Sequence, residues 1–180
     1  MSFPSISKKN KSVSCFFLAY KLIIRGTMKM LKMIIADDDE IIRIRLVKKI
    51  DWRSMGYEVV SEAADGNELL KKTLKYKPDV VLTDIKMPFM SGIEYVEAIR
   101  KNQLQTEVII ITGYAEFEYV HKLLHLGVCG YLLKPLDKEE LKECMCRLRD
   151  KILHNQELEA LGRQDKNGGE ETACGGHVYE

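Results

Sequence analysis

Residues 31–50 read LKMIIADDDEIIRIRLVKKI. The first six are apolar but for Lys32, and after the acidic residues Ile42, Leu46 and Ile50 recur at helical spacing, so a short strand leads into an amphipathic helix. The same alternation returns four times: 57–63 then 67–76, 80–83 then 92–101, 108–111 then 117–126, and 131–133 then 138 to about 153. Strands that read as nearly unbroken Val, Ile and Leu are buried on both faces, and the helix after each returns the chain for a parallel neighbour. Right-handed crossovers then cover both faces of the sheet. The expected fold is therefore α/β, a doubly wound five-stranded parallel sheet in the order 2-1-3-4-5.

A sheet of this kind binds ligands at the carboxyl edge of its strands, where the strand order reverses. The residues that follow or end the strands there are Asp37 and Asp38 after the first, Asp84 after the third, Thr112 after the fourth and Lys134 after the fifth. The first and third strands are neighbours in this order, so the three carboxylates converge in one crevice. Clustered carboxylates call for a cation; hard, partly hydrated oxygen ligands suit Mg²⁺, and the lack of a strand-end His or Cys argues against zinc or copper. Lys134 adds a compact positive charge and Thr112 a hydroxyl. A cation, an ammonium and a hydroxyl around a carboxylate make a site for phosphoryl transfer, with the carboxylate as nucleophile. Taken singly, each residue has a plainer explanation. The 37–40 acidic run caps a helix, Asp84 ends a strand in a turn, Thr112 bonds backbone, and Lys134-Pro135 makes a loop. Their joint arrival at one edge, in order, favours the site.

The stretches MIIADDDEIIR (33–43), PDVVLTDIKMPFMSG (78–92), VIIITGYAEFEYV (108–120) and GYLLKPLDKEEL (130–141) resemble the four signature segments of bacterial response-regulator receiver domains, over residues 30 to about 150. The resemblance implies a flavodoxin-like (βα)5 fold. It also implies that Asp84 accepts a phosphoryl group from a phosphohistidine on a sensor histidine kinase. Mg²⁺ would be held by Asp38, Asp84 and the backbone carbonyl of Lys86, with Asp37 on a metal-bound water. Lys134 would pair with the acyl phosphate, preceding a cis proline. Thr112 and Tyr131 would be the switch residues that couple the site to the face of the fourth helix, fifth strand and fifth helix, a surface for homodimerisation or an output partner. Lys86 and Tyr114 occupy the two positions that tune the lifetime of the phosphorylated state in this family. Neither is an acid or amide that could orient an attacking water, so slow autodephosphorylation is expected. The segments IDW (50–52), GYAEFEYV (113–120) and LGVCGYLLKP (126–135) further resemble receivers fused to AraC-type DNA-binding domains. No basic recognition-helix pattern follows residue 153, so DNA binding would require a further C-terminal domain.

Two other readings stay open at this stage. One is a fragment of a DNA-binding transcriptional regulator. The other is an Asp-nucleophile phosphatase of the haloacid dehalogenase type, because 37–39 also satisfies Asp-x-Asp after a strand; there the labelled residue would be Asp37. A receiver turns over no external substrate and in that sense is not an enzyme.

The chain has 180 residues with 28 Lys+Arg against 27 Asp+Glu, so no net field drives binding to nucleic acid or membrane. Its longest stretch free of those four residue types is 123–133, far short of the roughly 20 residues that span a bilayer. Cys15, Cys129, Cys144, Cys146 and Cys174 are odd in number and without Cys-x-x-Cys spacing, which suits reduced thiols in a cytoplasmic protein. Residues 1–29 form a basic extension without a cleavage signal, read as non-native leader or disordered. Residues 30–155 are the receiver, and 156–180 a flexible acidic, Gly-rich tail, disordered beyond about Leu161. His121, His125 and Glu118 share a helix face, but their spacing lacks the His-Glu-x-x-His acid and suggests no metal. Cys144 and Cys146 point to different faces, Cys129 packs as a small hydrophobe, and Trp52 packs the turn between the first helix and second strand.

Overall fold

The computed structural model describes residues 29–113 and 117–167. Five strands, β1 (Leu31–Ala36), β2 (Tyr57–Ala63), β3 (Val80–Thr83), β4 (Glu107–Thr112) and β5 (Gly130–Leu133), form one sheet in the order β2-β1-β3-β4-β5. Every pairing is parallel. The helices are α1 (Glu40–Lys49), α2 (Gly66–Tyr76), α3 (Gly92–Lys101), α4 (Phe117–His125) and α5 (Lys138–Asn167), with a 3-10 turn at Arg53–Met55.

Each strand feeds two cores because its side chains alternate. From β1, Leu31, Met33 and Ile35 join Leu46 of α1 with Leu141, Met145 and Leu148 of α5. Ile34 and Ala36 face the other way, among Leu69 of α2, Tyr95, Val96 and Ile99 of α3, and Leu123 of α4. Helices α1 and α5 thus cover one face and α2, α3 and α4 the other. Trp52 is buried in the α1–β2 turn as expected and donates its indole Nε1–H to the Leu46 carbonyl at 2.7 Å. Gly56 beside it has φ +85°, so the turn needs glycine, and a Cβ there would also press on the Arg149 guanidinium.

The strand order and the five βα units agree with the sequence reading, with small differences at their ends. The last helix differs most: it continues to Asn167 instead of stopping near residue 153. Residues 156–164, QELEALGRQ, are mostly strong helix formers without proline, so local propensity extends α5 past residue 153. No helix among the described residues is long and apolar enough to cross a membrane.

Candidate functional site

The ends of β1 and β3 are laced together where the crevice forms. Asp84 N–H donates to the Ala36 carbonyl (3.0 Å), and Asp37 N–H to Ala63 on β2 (3.2 Å). Ser91 caps α3 in a reciprocal bond pair with Glu94, and Gly92 lies so close beneath the site that a Cβ would stand 2.1 Å from the Asp84 carbonyl oxygen. That packing is why the chain turns from β3 into α3 on a glycine. Asp39 caps α1, accepting from Ile41 and Ile42 N–H, so of the four acids in 37–40 this one performs the plain helix-start role.

Asp37, Asp38 and Asp84 bring carboxylate oxygens within 4.8 Å of one another. Asp37 and Asp84 are buried while Asp38 is exposed, so the cluster opens to solvent on one side. Lys134 Nζ bridges the two buried acids, at 2.6 Å from Asp37 Oδ2 and 2.8 Å from Asp84 Oδ2. Ile85 N–H donates to Asp84 Oδ1 at 2.6 Å, and Asp39 N–H to Asp37 Oδ1 at 3.0 Å. Burial pushes the Asp37 carboxyl above its ordinary range, a pressure the Lys134 ammonium only partly counters. Burial alone would lower the Lys134 ammonium, but its bonds to Asp37 and Asp84 outweigh that and raise it.

This donor set fits Mg²⁺: three carboxylates, one of them solvent-facing, and no soft ligand. Lys86 follows in the loop after β3, its side chain exposed, and lines with Asp38, Pro88 and Tyr119 a cavity of about 390 Å³. Thr112 ends β4, fully buried; its carbonyl accepts from Lys134 N–H at 2.8 Å, and the Lys134-Pro135 peptide is cis. Tyr131 is half-buried on β5, packed against the α2–α3–α4 core. Tyr114 lies outside the described residues.

Away from this edge, His121 and His125 are exposed on α4 with ring centroids 4.5 Å apart. Among the described residues only the three aspartates gather three or more such metal-capable groups. Cys144 is buried and Cys146 half-buried. Cys129 packs against the α1–α5 core but is more than a small hydrophobe: its thiol donates to Glu107 Oε2 at 2.7 Å and accepts from Lys151 Nζ at 3.2 Å. Burial and the neighbouring carboxylate push that thiol up to about 11, so it is held protonated. Sequence reasoning also missed Arg43, whose Nη1 donates to the Asp37 carbonyl; its signal was an arginine within one turn of the acidic run.

Residues 33–145 match the family model for the response regulator receiver domain. The chain belongs to that family. Among curated relatives, the uncharacterized transcriptional regulatory protein YesN of Bacillus subtilis is 32% identical over 136 residues, which cover 73% of this chain and 37% of that protein. Among solved structures, the receiver domain of AraT, a response regulator from Geobacillus stearothermophilus, is 38% identical with a TM-score of 0.66, covering 71% of this chain and 98% of that one. A chain of the CheX–CheY–BeF₃–Mg complex from Borrelia burgdorferi is 25% identical with a TM-score of 0.62, covering 69% of this chain and 92% of that one. The chain spans between about a third and a half of the length of the curated relatives it matches. Membership of the receiver family sets aside the dehalogenase-type phosphatase, which would have left Asp84 without a role.

Proposed function

We propose that this receiver accepts a phosphoryl group on Asp84 from a sensor histidine kinase, in a Mg²⁺-dependent reaction, and that the modified state alters dimerisation or an output partner. The observation that carries this reading is the Lys134 ammonium, bonded at once to Asp84 and Asp37 beside a third carboxylate. An Asp84 carboxylate oxygen attacks phosphorus, the donor's N–P bond breaks, and the imidazole leaves with the electron pair. Lys134 holds positive charge where the phosphoryl oxygens arrive, and the Ile85 N–H orients the carboxylate. Asp37, Asp38, Asp84 and the Lys86 carbonyl would hold Mg²⁺, which when bound neutralises charge on the transferring group. Thr112 and Tyr131 relay the change toward α4, β5 and α5. No external substrate is turned over, and the protein works in the cytoplasm.

On this reading the chain is the receiver part of a transcriptional regulator, of the kind fused to AraC-type DNA-binding domains. Support for a transcriptional regulator comes from relatives named as such, and the AraC-type part rests on the resemblance carried by residues 50–52, 113–120 and 126–135. Lys86 and Tyr114 offer no group to activate water, so the phosphorylated state decays slowly; a half-life of seconds in the isolated chain would contradict that. The test of the site is incubation with acetyl phosphate and Mg²⁺ followed by intact mass. One phosphoryl addition is expected, absent without Mg²⁺ and absent in Asp84→Asn. A folded chain that takes up no phosphoryl group would refute the proposal.

A further inference from the structure

Arg43 sits on the first turn of α1 with its side chain only 14% exposed. Its Nη1 donates to the carbonyl oxygen of Asp37 at 2.8 Å and reaches that of Asp38 at 3.3 Å. Its Nε is buried without a hydrogen-bond partner, the Glu62 Oε2 lying 3.6 Å away as an ion pair. An arginine that merely solvated the helix surface would point outward and leave no orphaned donor. This one is turned inward, toward two consecutive peptide carbonyls whose residues carry two of the three clustered carboxylates.

We propose that Arg43 is a positioning residue of the acidic site: it clamps the peptides of Asp37 and Asp38 so that both carboxylates face Asp84 before a cation arrives, and it thereby sets divalent-cation affinity. The inference rests on reading Asp37, Asp38 and Asp84 as the Mg²⁺ site. Without a clamp, carboxylates held within 4.8 Å repel, and exposed Asp38 is the one free to swing into solvent. A planar guanidinium can hold both carbonyls in one geometry, whereas an ammonium is a single point charge on a flexible stem. The alternative, that Arg43 acts only through its charge, predicts the opposite sign, since a cation beside the loop repels a metal and its removal would tighten binding.

The two are separated by titrating MgCl₂ into the full chain by calorimetry, comparing wild type with Arg43→Lys, Arg43→Gln and, as a control on the exposed side of α1, Arg45→Lys. Both Arg43 variants are expected to bind Mg²⁺ about tenfold more weakly, as for other groups that orient metal ligands, with unchanged far-ultraviolet circular dichroism before metal is added. Arg45→Lys is expected to match wild type. Wild-type affinity in Arg43→Lys, or tighter binding in Arg43→Gln, would overturn the clamp. A wild-type chain that binds no Mg²⁺ would overturn the site reading and the clamp with it. The unsubstituted metal-free protein gives a second test by nuclear magnetic resonance: the clamp requires Arg43 Nη protons protected from solvent exchange, and freely exchanging ones would refute it.

Discussion

Phe89 is held at φ +65° in the loop between β3 and α3 with 86% of its surface in water. A left-handed backbone costs a residue with a Cβ about 1–2 kcal/mol, and an exposed ring returns nothing for it. Phe89→Asn, which tolerates that conformation better, is expected to raise stability by about 1 kcal/mol in urea unfolding. A loss of stability would show that the ring has a packing role. At the same scale the residues of the site divide by what a sequence can reveal. Asp37, Asp38, Asp84, Thr112 and Lys134 were legible because each ends or directly follows a strand, and strand ends share one edge. Arg43 and the Glu107–Cys129–Lys151 cluster were not, because their meaning depends on side-chain direction and on partners 22 or more residues away for the cluster, and on a backbone carbonyl for Arg43. No periodicity encodes either.

Helices and strands were legible where apolar spacing and burial coincide, as in β1 and α3, whose bounds the pattern marks directly. The end of α5 was not, since beyond Ile152 and Leu153 none of the residues whose burial is described is buried, and helix propensity continues the element. Leu158, 55% exposed, contributes no core. Truncation after Asn155 is therefore expected to remove helical circular dichroism while changing unfolding free energy by less than about 0.5 kcal/mol. A larger loss would mean that the distal segment packs on the domain. The join between β4 and α5 is held by the ion pair from Lys151 Nζ to Glu107 Oε1 at 2.9 Å. Burial alone would raise the Glu107 carboxyl, yet its bonds to Cys129 and Lys151 prevail and lower it from the ordinary 4.5. A carboxyl lowered in the folded state adds stability above its unfolded value and loses it as the pH falls through the folded one. Glu107→Gln should thus be less stable than wild type at neutral pH, with the gap closing below 4.5. A gap of constant size across that range in pH-dependent urea melts would exclude the ionised bond as its source.

For the molecule as a whole, two cores on opposite faces of one sheet fix the strand ends, and the strand ends fix the acids. A buried Asp37 and Asp84 sharing one ammonium leave the cluster short of positive charge, so a bound cation should stabilise the entire domain. At a hundredfold excess over its dissociation constant, Mg²⁺ is expected to add about 2.7 kcal/mol to the unfolding free energy. Asp38→Asn should abolish most of that gain, read as the shift in melting temperature with and without MgCl₂; an equal shift in the variant would remove Asp38 from the metal site. The central claim is the chemical identity of Asp84. It is tested most directly by treating the chain with acetyl phosphate and Mg²⁺, reducing with borohydride, which converts an aspartyl phosphate to homoserine, and mapping the peptides by mass spectrometry. The account predicts homoserine at position 84 alone. Homoserine at 37 or 38, with Asp84 unmodified, would contradict it.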